Sequence, residues 1–194
     1  VVSKYKLMKN KRIIFFQYHP ETLELNYGFE GMVNTLKILS KYKHYQIVST
    51  YSNADSNYKK FNKFLNNYNK ANKNFHLFKS IDYVDYLTIL KNSEFIIGNS
   101  SSAIIEAPTL KIPAINIGNR QHGRIRANSI FDTNYSVSEI KKKIKLAIKF
   151  KKKNMKILNP YDHGNAIEKI ISILKDKKTF ENIKNISFKN INFD

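Results

Sequence analysis

Residues Glu94–Arg124 read "EFIIGNSSSAIIEAPTLKIPAINIGNRQHGR". An apolar run closes on Gly98, a polar stretch with three consecutive serines follows, then an amphipathic segment, then a second apolar run closing on "GNR". A β-rich run, a helix-length segment and another β-rich run form the strand–helix–strand unit of a parallel sheet. One serine is enough to cap a helix, and capping accounts for most serine-rich helix starts. The second reading of Ser100 and Ser101 is chemical. The first amides of a helix lack internal partners and carry partial positive charge, so hydroxyls beside them make a neutral, donor-rich pocket that suits phosphate. Glu106 favours this second reading, because a carboxylate within the same short helix is a good bidentate acceptor for a vicinal diol. Phosphate donors followed by a diol acceptor read together as a nucleotide clamp.

Outward from this unit the same alternation continues. The pattern predicts strands at Arg12–Tyr18, Tyr45–Tyr51, Phe75–Phe78, Glu94–Gly98, Ala114–Ile117 and Ser129–Asp132. Helices are expected at Glu30–Tyr42, Ser56–Lys70, Asp82–Lys91, Ser101–Leu110, Val137–Lys152 and Asn165–Lys177. In the first helix Met32, Val33, Leu36 and Leu39 recur at helical spacing. Strands of near-continuous apolar character belong to a parallel sheet covered on both faces, so the fold class is α/β, a Rossmann-like single domain over residues 1–194. In such sheets ligands sit beyond the carboxyl ends of the strands. Those ends carry "QYHPETL", "TYSNADS", "FKSIDY", "GNSSSAIIE" and "NIGNRQHGR", and polar residues crowd that edge.

Composition narrows the function. With 42% hydrophobic and 13% aromatic residues over 194 positions, the chain has the material for a sizeable core. It has no cysteine, hence no disulfide scaffold, thiolate nucleophile or Cys-ligated zinc, which fits a cytoplasmic protein. No run of about 18 apolar residues predicts a membrane span, and "VVSKYKLMKNKRIIFF" lacks a signal-peptide cleavage pattern. The formal net charge of +19 suggests nucleic acid. Yet lysine is abundant everywhere, and the densest clusters, Lys141–Lys145 and Lys149–Lys153, lie on one amphipathic helix and its end. A solvated helix face is the better reading. Histidines and acids show no metal-ligand spacing, so no metal is expected.

At this point "IIGNSSSAIIEAPTLKIPAINIGNRQHGRIRANSI" resembles the C-terminal-domain signature of the UDP-N-acetylglucosamine 2-epimerase family, especially its hydrolysing branch. "HPET" at His19–Thr22 resembles the family's HPxT element, "SNAD" at Ser52–Asp55 its asparagine-containing strand end, and "NPYDHGNA" at Asn159–Ala166 its NPYGxGxA run. The matches keep their order from Arg12 to Leu174. Ala103 stands where glycine is frequent and Asn119 where aspartate is frequent; neither change removes a direct ligand group.

The resemblance implies one half of a GT-B fold, the second of two Rossmann-like domains that face each other across a cleft. The family's first domain, with its carboxylates for proton chemistry at C2, has no counterpart in these residues. By resemblance, His19 sits at the pyrophosphate and helps UDP depart, as a donor or as a general acid with a pKa near neutrality. Pro20 restricts its backbone to extended geometry and aims the imidazole out of the sheet edge. Ser100 and Ser101 match phosphate-contacting serines, Glu106 the ribose-binding glutamate, and Arg120 an arginine near the pyrophosphate. Ser102 is read as structural. Asn53 is read as a nucleotide contact or as loop structure. Arg124 is a weaker candidate and Arg126 a surface charge; His44, His76, His122 and His163 carry no supporting constellation.

The implied reaction removes the C2 proton of UDP-GlcNAc, eliminates UDP to leave a glycal, and adds water to give N-acetylmannosamine plus UDP. It needs no metal or redox cofactor. The sugar would be UDP-GlcNAc or a diacetamido analogue on a route to sialic-acid-like sugars. Three readings follow: the UDP-binding half of such an enzyme, inactive without an N-terminal domain or partner chain; a stand-alone UDP-sugar-binding module, or a piece of a non-hydrolysing epimerase; and, far behind, a basic nucleic-acid binder. A homo-oligomer is possible, since family members pair through helices.

Overall fold

A computed structural model describes residues 1–162 and 164–178; His163 and the residues after 178 lie outside the described residues. The chain divides into two compact units, Val1–Pro160 and Tyr161–Asp194. In the second unit the described residues contain one helix, α6 (Ala166–Lys175).

The first unit is a six-stranded, all-parallel sheet. Its strands are β1 (Arg12–Gln17), β2 (Tyr45–Thr50), β3 (Phe75–Phe78), β4 (Ser93–Gly98), β5 (Ala114–Ile117) and β6 (Ile130–Thr133). They lie in the order β3-β2-β1-β4-β5-β6. That is the doubly wound order in which the direction of strand addition reverses between β1 and β4, leaving a crevice beyond their carboxyl ends. The helices are α1 (Phe29–Leu39), α2 (Tyr58–Ala71), α3 (Tyr83–Lys91), α4 (Glu106–Thr109) and α5 (Val137–Lys152). Ser136 starts α5, its hydroxyl accepting from the Glu139 N–H at 3.4 Å. Among the described residues no helix is long and apolar enough to cross a membrane.

Strand alternation divides the core in two. Ile14, Phe16 and Tyr18 point to the face covered by α1, α2 and α5, where they meet Met32, Leu36, Phe61, Leu65 and Ile144. Ile13 and Phe15 point to the other face, against Ile89, Leu90, Ile104 and Ile112. Both faces are buried, which is why the strands read as apolar runs rather than as alternating ones.

The expected helix Ser101–Leu110 does not form as one piece. A 3-10 turn over Ser101–Ala103 is followed by the four-residue α4. Pro108 has no N–H to return to the preceding turn, and its ring opposes a continuous helix. The remaining elements lie within a few residues of expectation, and β3, β5 and α5 have the expected bounds.

Phe16 is fully buried and stacks on Tyr18 with ring centroids 6.2 Å apart. We expect Phe16→Ala to cost about 3–5 kcal/mol, the range for removing a buried aromatic ring. Urea unfolding of the two proteins measures it, and a loss within error of zero would contradict this account of the core.

Candidate functional site

A cleft of about 810 Å³ opens at the carboxyl edge beside the β1/β4 switch point. Its walls include His19, Glu21, Asn53, Asp55, Ser100, Ser101 and Arg120.

The floor depends on how β1 and β4 end. Gly98 pairs with Gln17, and a β-carbon on Gly98 would lie 1.9 Å from the Gln17 carbonyl oxygen, so this close approach requires glycine. The Asn99 N–H then donates to the same carbonyl at 3.1 Å. One step further the ladder continues through a side chain. The His19 N–H donates to Asn99 Oδ1 at 2.7 Å, and Asn99 Nδ2 donates to the His19 carbonyl at 2.8 Å. Asn99 is wholly buried and stands in for a strand neighbour.

His19 is 2% exposed. The Asn53 N–H donates to its Nδ1 at 3.0 Å, so Nδ1 is an acceptor and the neutral ring carries its proton on Nε2. Ser52 sets this geometry: its hydroxyl donates to the Tyr18 carbonyl at 2.7 Å, and its N–H donates to Asn62 Oδ1 at 2.8 Å. Asn53 therefore has a backbone role that the sequence did not distinguish from loop structure. Burial and the nearby Arg120 guanidinium push the His19 pKa down to about 4, with Asp55 opposing. The expectation of a histidine titrating near neutrality is corrected, because desolvation of the ring outweighs the one acid beside it. At pH 7 His19 is a neutral donor.

Arg120 is brought to the same wall. Its Nη2 donates to Asp55 Oδ2 at 3.0 Å and its Nη1 to the Asn99 carbonyl at 3.5 Å. The Asn99 carbonyl also accepts from Gln121 Nε2 at 2.9 Å. Asp55, Asn99 and Gln121 were not among the sequence candidates. The signal available for Asp55 was its place in "SNAD", beside Asn53 on the same strand-end loop.

Ser100 and Ser101 line the cleft, but the helix behind them is only a 3-10 turn. The Ser100 hydroxyl accepts from the Ser102 N–H at 3.4 Å, which is a capping role. Ser101 is half-buried in the wall. Glu106 lies outside this lining. One of its carboxylate oxygens is buried without a hydrogen-bond partner, and the side chain lies near Tyr86, whose hydroxyl burial pushes up to about 12. Exposed His122 and Arg124 reach the cleft rim. Arg126 instead donates from Nε to both oxygens of Asp132, at 3.2 and 3.1 Å, in keeping with a surface charge. Among the described residues no three His, Cys, Asp or Glu side chains cluster as a metal site.

The depressed His19 pKa has a sign. The unfolded chain takes up a proton on this ring near pH 6.5 and the folded chain only near 4, so its contribution is intact above 6.5 and is lost as pH falls through that window. We expect this loss to be on the order of 3 kcal/mol, from about 1.4 kcal/mol per pKa unit. Denaturant unfolding at pH 7 and pH 4 reads it as the difference between the wild-type chain and His19→Asn. An identical pH dependence in both would contradict it.

The sequence model described as UDP-N-acetylglucosamine 2-epimerase matches residues 2–175. A Campylobacter jejuni protein named GDP/UDP-N,N'-diacetylbacillosamine 2-epimerase (hydrolyzing) is 39% identical over 127 residues, covering 64% of this chain and 33% of that protein. The polysialic acid biosynthesis protein P7 of Escherichia coli is 34% identical over 169 residues, covering 86% of this chain and 43% of that one. Among solved structures, the Methanocaldococcus jannaschii UDP-GlcNAc 2-epimerase in complex with UDP-GlcNAc and UDP superposes with a TM-score of 0.70 at 19% identity, over 89% of this chain and 47% of that one. This chain thus spans less than half the length of each of these relatives. By its sequence, over nearly all of the described residues, the chain belongs to the UDP-N-acetylglucosamine 2-epimerase family.

Proposed function

We propose that this chain is the UDP-binding half of a hydrolysing UDP-N-acetylglucosamine-type 2-epimerase, the C-terminal domain of the pair, and that it does not turn over alone. The observation that carries the proposal is the convergence of His19, Arg120 and Ser101 on one cleft at the switch point of the sheet. The hydrolysing outcome, and a role in making sialic-acid-like sugars, are supported by the names of the Campylobacter jejuni and Escherichia coli relatives. A cytoplasmic location belongs to the same proposal.

In this reading the diphosphate lies between Ser101, His19 Nε2–H and the Arg120 fork, with Ser100 beside it. The ribose hydroxyls are assigned to Glu106, which lies outside the cleft lining with one carboxylate oxygen buried and without a partner, so this contact requires a local shift. As the C–O bond to UDP breaks, negative charge grows on the departing phosphate. A neutral N–H donor and a guanidinium fixed nearby stabilise that charge without reorganising. Removal of the C2 proton needs a base from the other half of the enzyme, an N-terminal domain or partner chain.

We expect UDP to bind the chain more tightly than uridine in calorimetric titrations at two salt concentrations. Ser101→Ala and Arg120→Ala should each weaken UDP binding by about 1–3 kcal/mol, the scale of a lost hydrogen bond to a charged group. Unchanged affinity in both variants would sink the assignment, and N-acetylmannosamine formed from UDP-GlcNAc by this chain alone would disprove the half-enzyme reading. Affinity for nucleic acid falling steeply with salt would instead favour the basic-surface alternative.

A further inference from the structure

Glu21 is 3% exposed, and its carboxylate accepts from two amide donors, with the Tyr135 hydroxyl beside it. Oε2 accepts from the Asn119 N–H at 3.0 Å and Oε1 from Asn99 Nδ2 at 3.2 Å. Two glycines make room for it. A β-carbon on Gly118, after β5, would lie 2.4 Å from Glu21 Oε1, and one on Gly28, before α1, would lie 2.9 Å from it. Both glycines have positive φ, +75° and +69°. The Glu21 N–H donates to the Tyr27 carbonyl at 2.9 Å, tying down a loop whose Asn26 and Tyr27 are also left-handed, at φ 51° and 56°. Such backbone persists only where the surroundings over-determine it.

We propose that Glu21 is a positioning residue for the nucleotide site, holding His19 through the Asn99 amide and the Arg120 loop through the Asn119 N–H. An asparagine amide can face either way, and the two orientations exchange donor for acceptor. A carboxylate on one side of Asn99 accepts only from its NH2 end. The His19 N–H and carbonyl favour the same orientation, so the NH2 end serves both Glu21 and the His19 carbonyl and the Glu21 carboxylate locks the amide in place. The His19 backbone is fixed at both polar groups, and its ring meets the Asn53 N–H in a single tautomer. The second Glu21 oxygen anchors the residue immediately before Arg120. One buried carboxylate thus couples the β1, β4 and β5 loops that shape the cleft.

Glu21→Gln is isosteric and replaces one of the two acceptors with a donor. A donor then faces either the Asn119 N–H or the Asn99 NH2, so one of the two ties is lost and the Asn99–His19 pair or the Arg120 loop shifts. The test is histidine-ring nitrogen NMR on the full chain, with His19→Gln identifying the His19 resonances among the five histidines. In the wild-type chain we expect His19 as the Nε2–H tautomer. In Glu21→Gln we expect displaced His19 ring signals, with Nδ1 still accepting from the Asn53 N–H, and about a tenfold loss of UDP affinity, the scale of one lost hydrogen bond to charge. Ile144→Val, a core change on α5 far from these loops, lowers stability without moving the His19 signals. It separates positioning from general loosening. If Glu21→Gln does not fold, Glu21→Asp carries the same test, its withdrawn carboxylate giving a smaller change in the same direction. Wild-type His19 signals in a folded Glu21 variant would overturn the proposal. The affinity part rests on the UDP reading, whereas the ring signals do not, so a chain that binds no UDP still decides the role of Glu21.

Discussion

Where β1 and β4 end, the sheet has a problem of unsatisfied backbone. Their connections leave in opposite directions, so no further strand residue is available to pair with His19, whose N–H and carbonyl are buried. A buried peptide group without partners costs about as much as a lost hydrogen bond per group, and most native folds avoid it. The Asn99 side chain supplies both partners. Because the amide has one donor end and one acceptor end, it copies the pattern of a neighbouring strand for one more residue. The crevice at the switch point exists because real strand pairing stops there. It has a fixed floor because Asn99 continues the ladder.

The chemistry of the cleft inherits this constraint. Asn99 bonds His19 through its side chain and bonds Arg120 and Gln121 through its backbone carbonyl. The two groups best suited to a departing phosphate are therefore referenced to one residue, with Glu21 fixing its orientation from behind. Gly98 belongs to the same arrangement, since only a residue without a side chain brings Asn99 close enough to Gln17 and His19.

Much of this fold was legible in the sequence because it is local. Apolar runs of strand length alternating with amphipathic segments dictate a parallel sheet, and the polar strand ends at His19, Asn53, Ser100 and Arg120 meet at one cleft. What escaped reading is non-local or a matter of orientation. The helix after the serines looked continuous because Ile104, Ala107 and Leu110 keep helical spacing, while Pro108 breaks the backbone beneath that pattern. Asn99 read as one more polar loop residue, since its worth depends on facing a residue 80 positions earlier. Glu21, inside "HPET", was hidden by the histidine beside it. Nothing local to that motif says that its carboxylate turns inward between Gly28 and Gly118.

In the proposed UDP reading, a diphosphate meets one guanidinium that is already paired and one neutral ring. The Arg120 guanidinium is held by Asp55, and the neutral His19 ring is kept neutral by burial and by that same cation. A diphosphate entering between them brings more negative charge than Asp55 holds, so it competes for the Arg120 fork. It also offsets the desolvation that depresses the His19 pKa, because an adjacent anion favours the protonated ring. In the proposed UDP complex the ring, a neutral hydrogen-bond donor beforehand, gains basicity from the phosphate beside it. On that proposed reading, proton affinity at His19 is coupled to UDP binding, and the Asp55–Arg120 pair opposes the ligand's claim on the guanidinium.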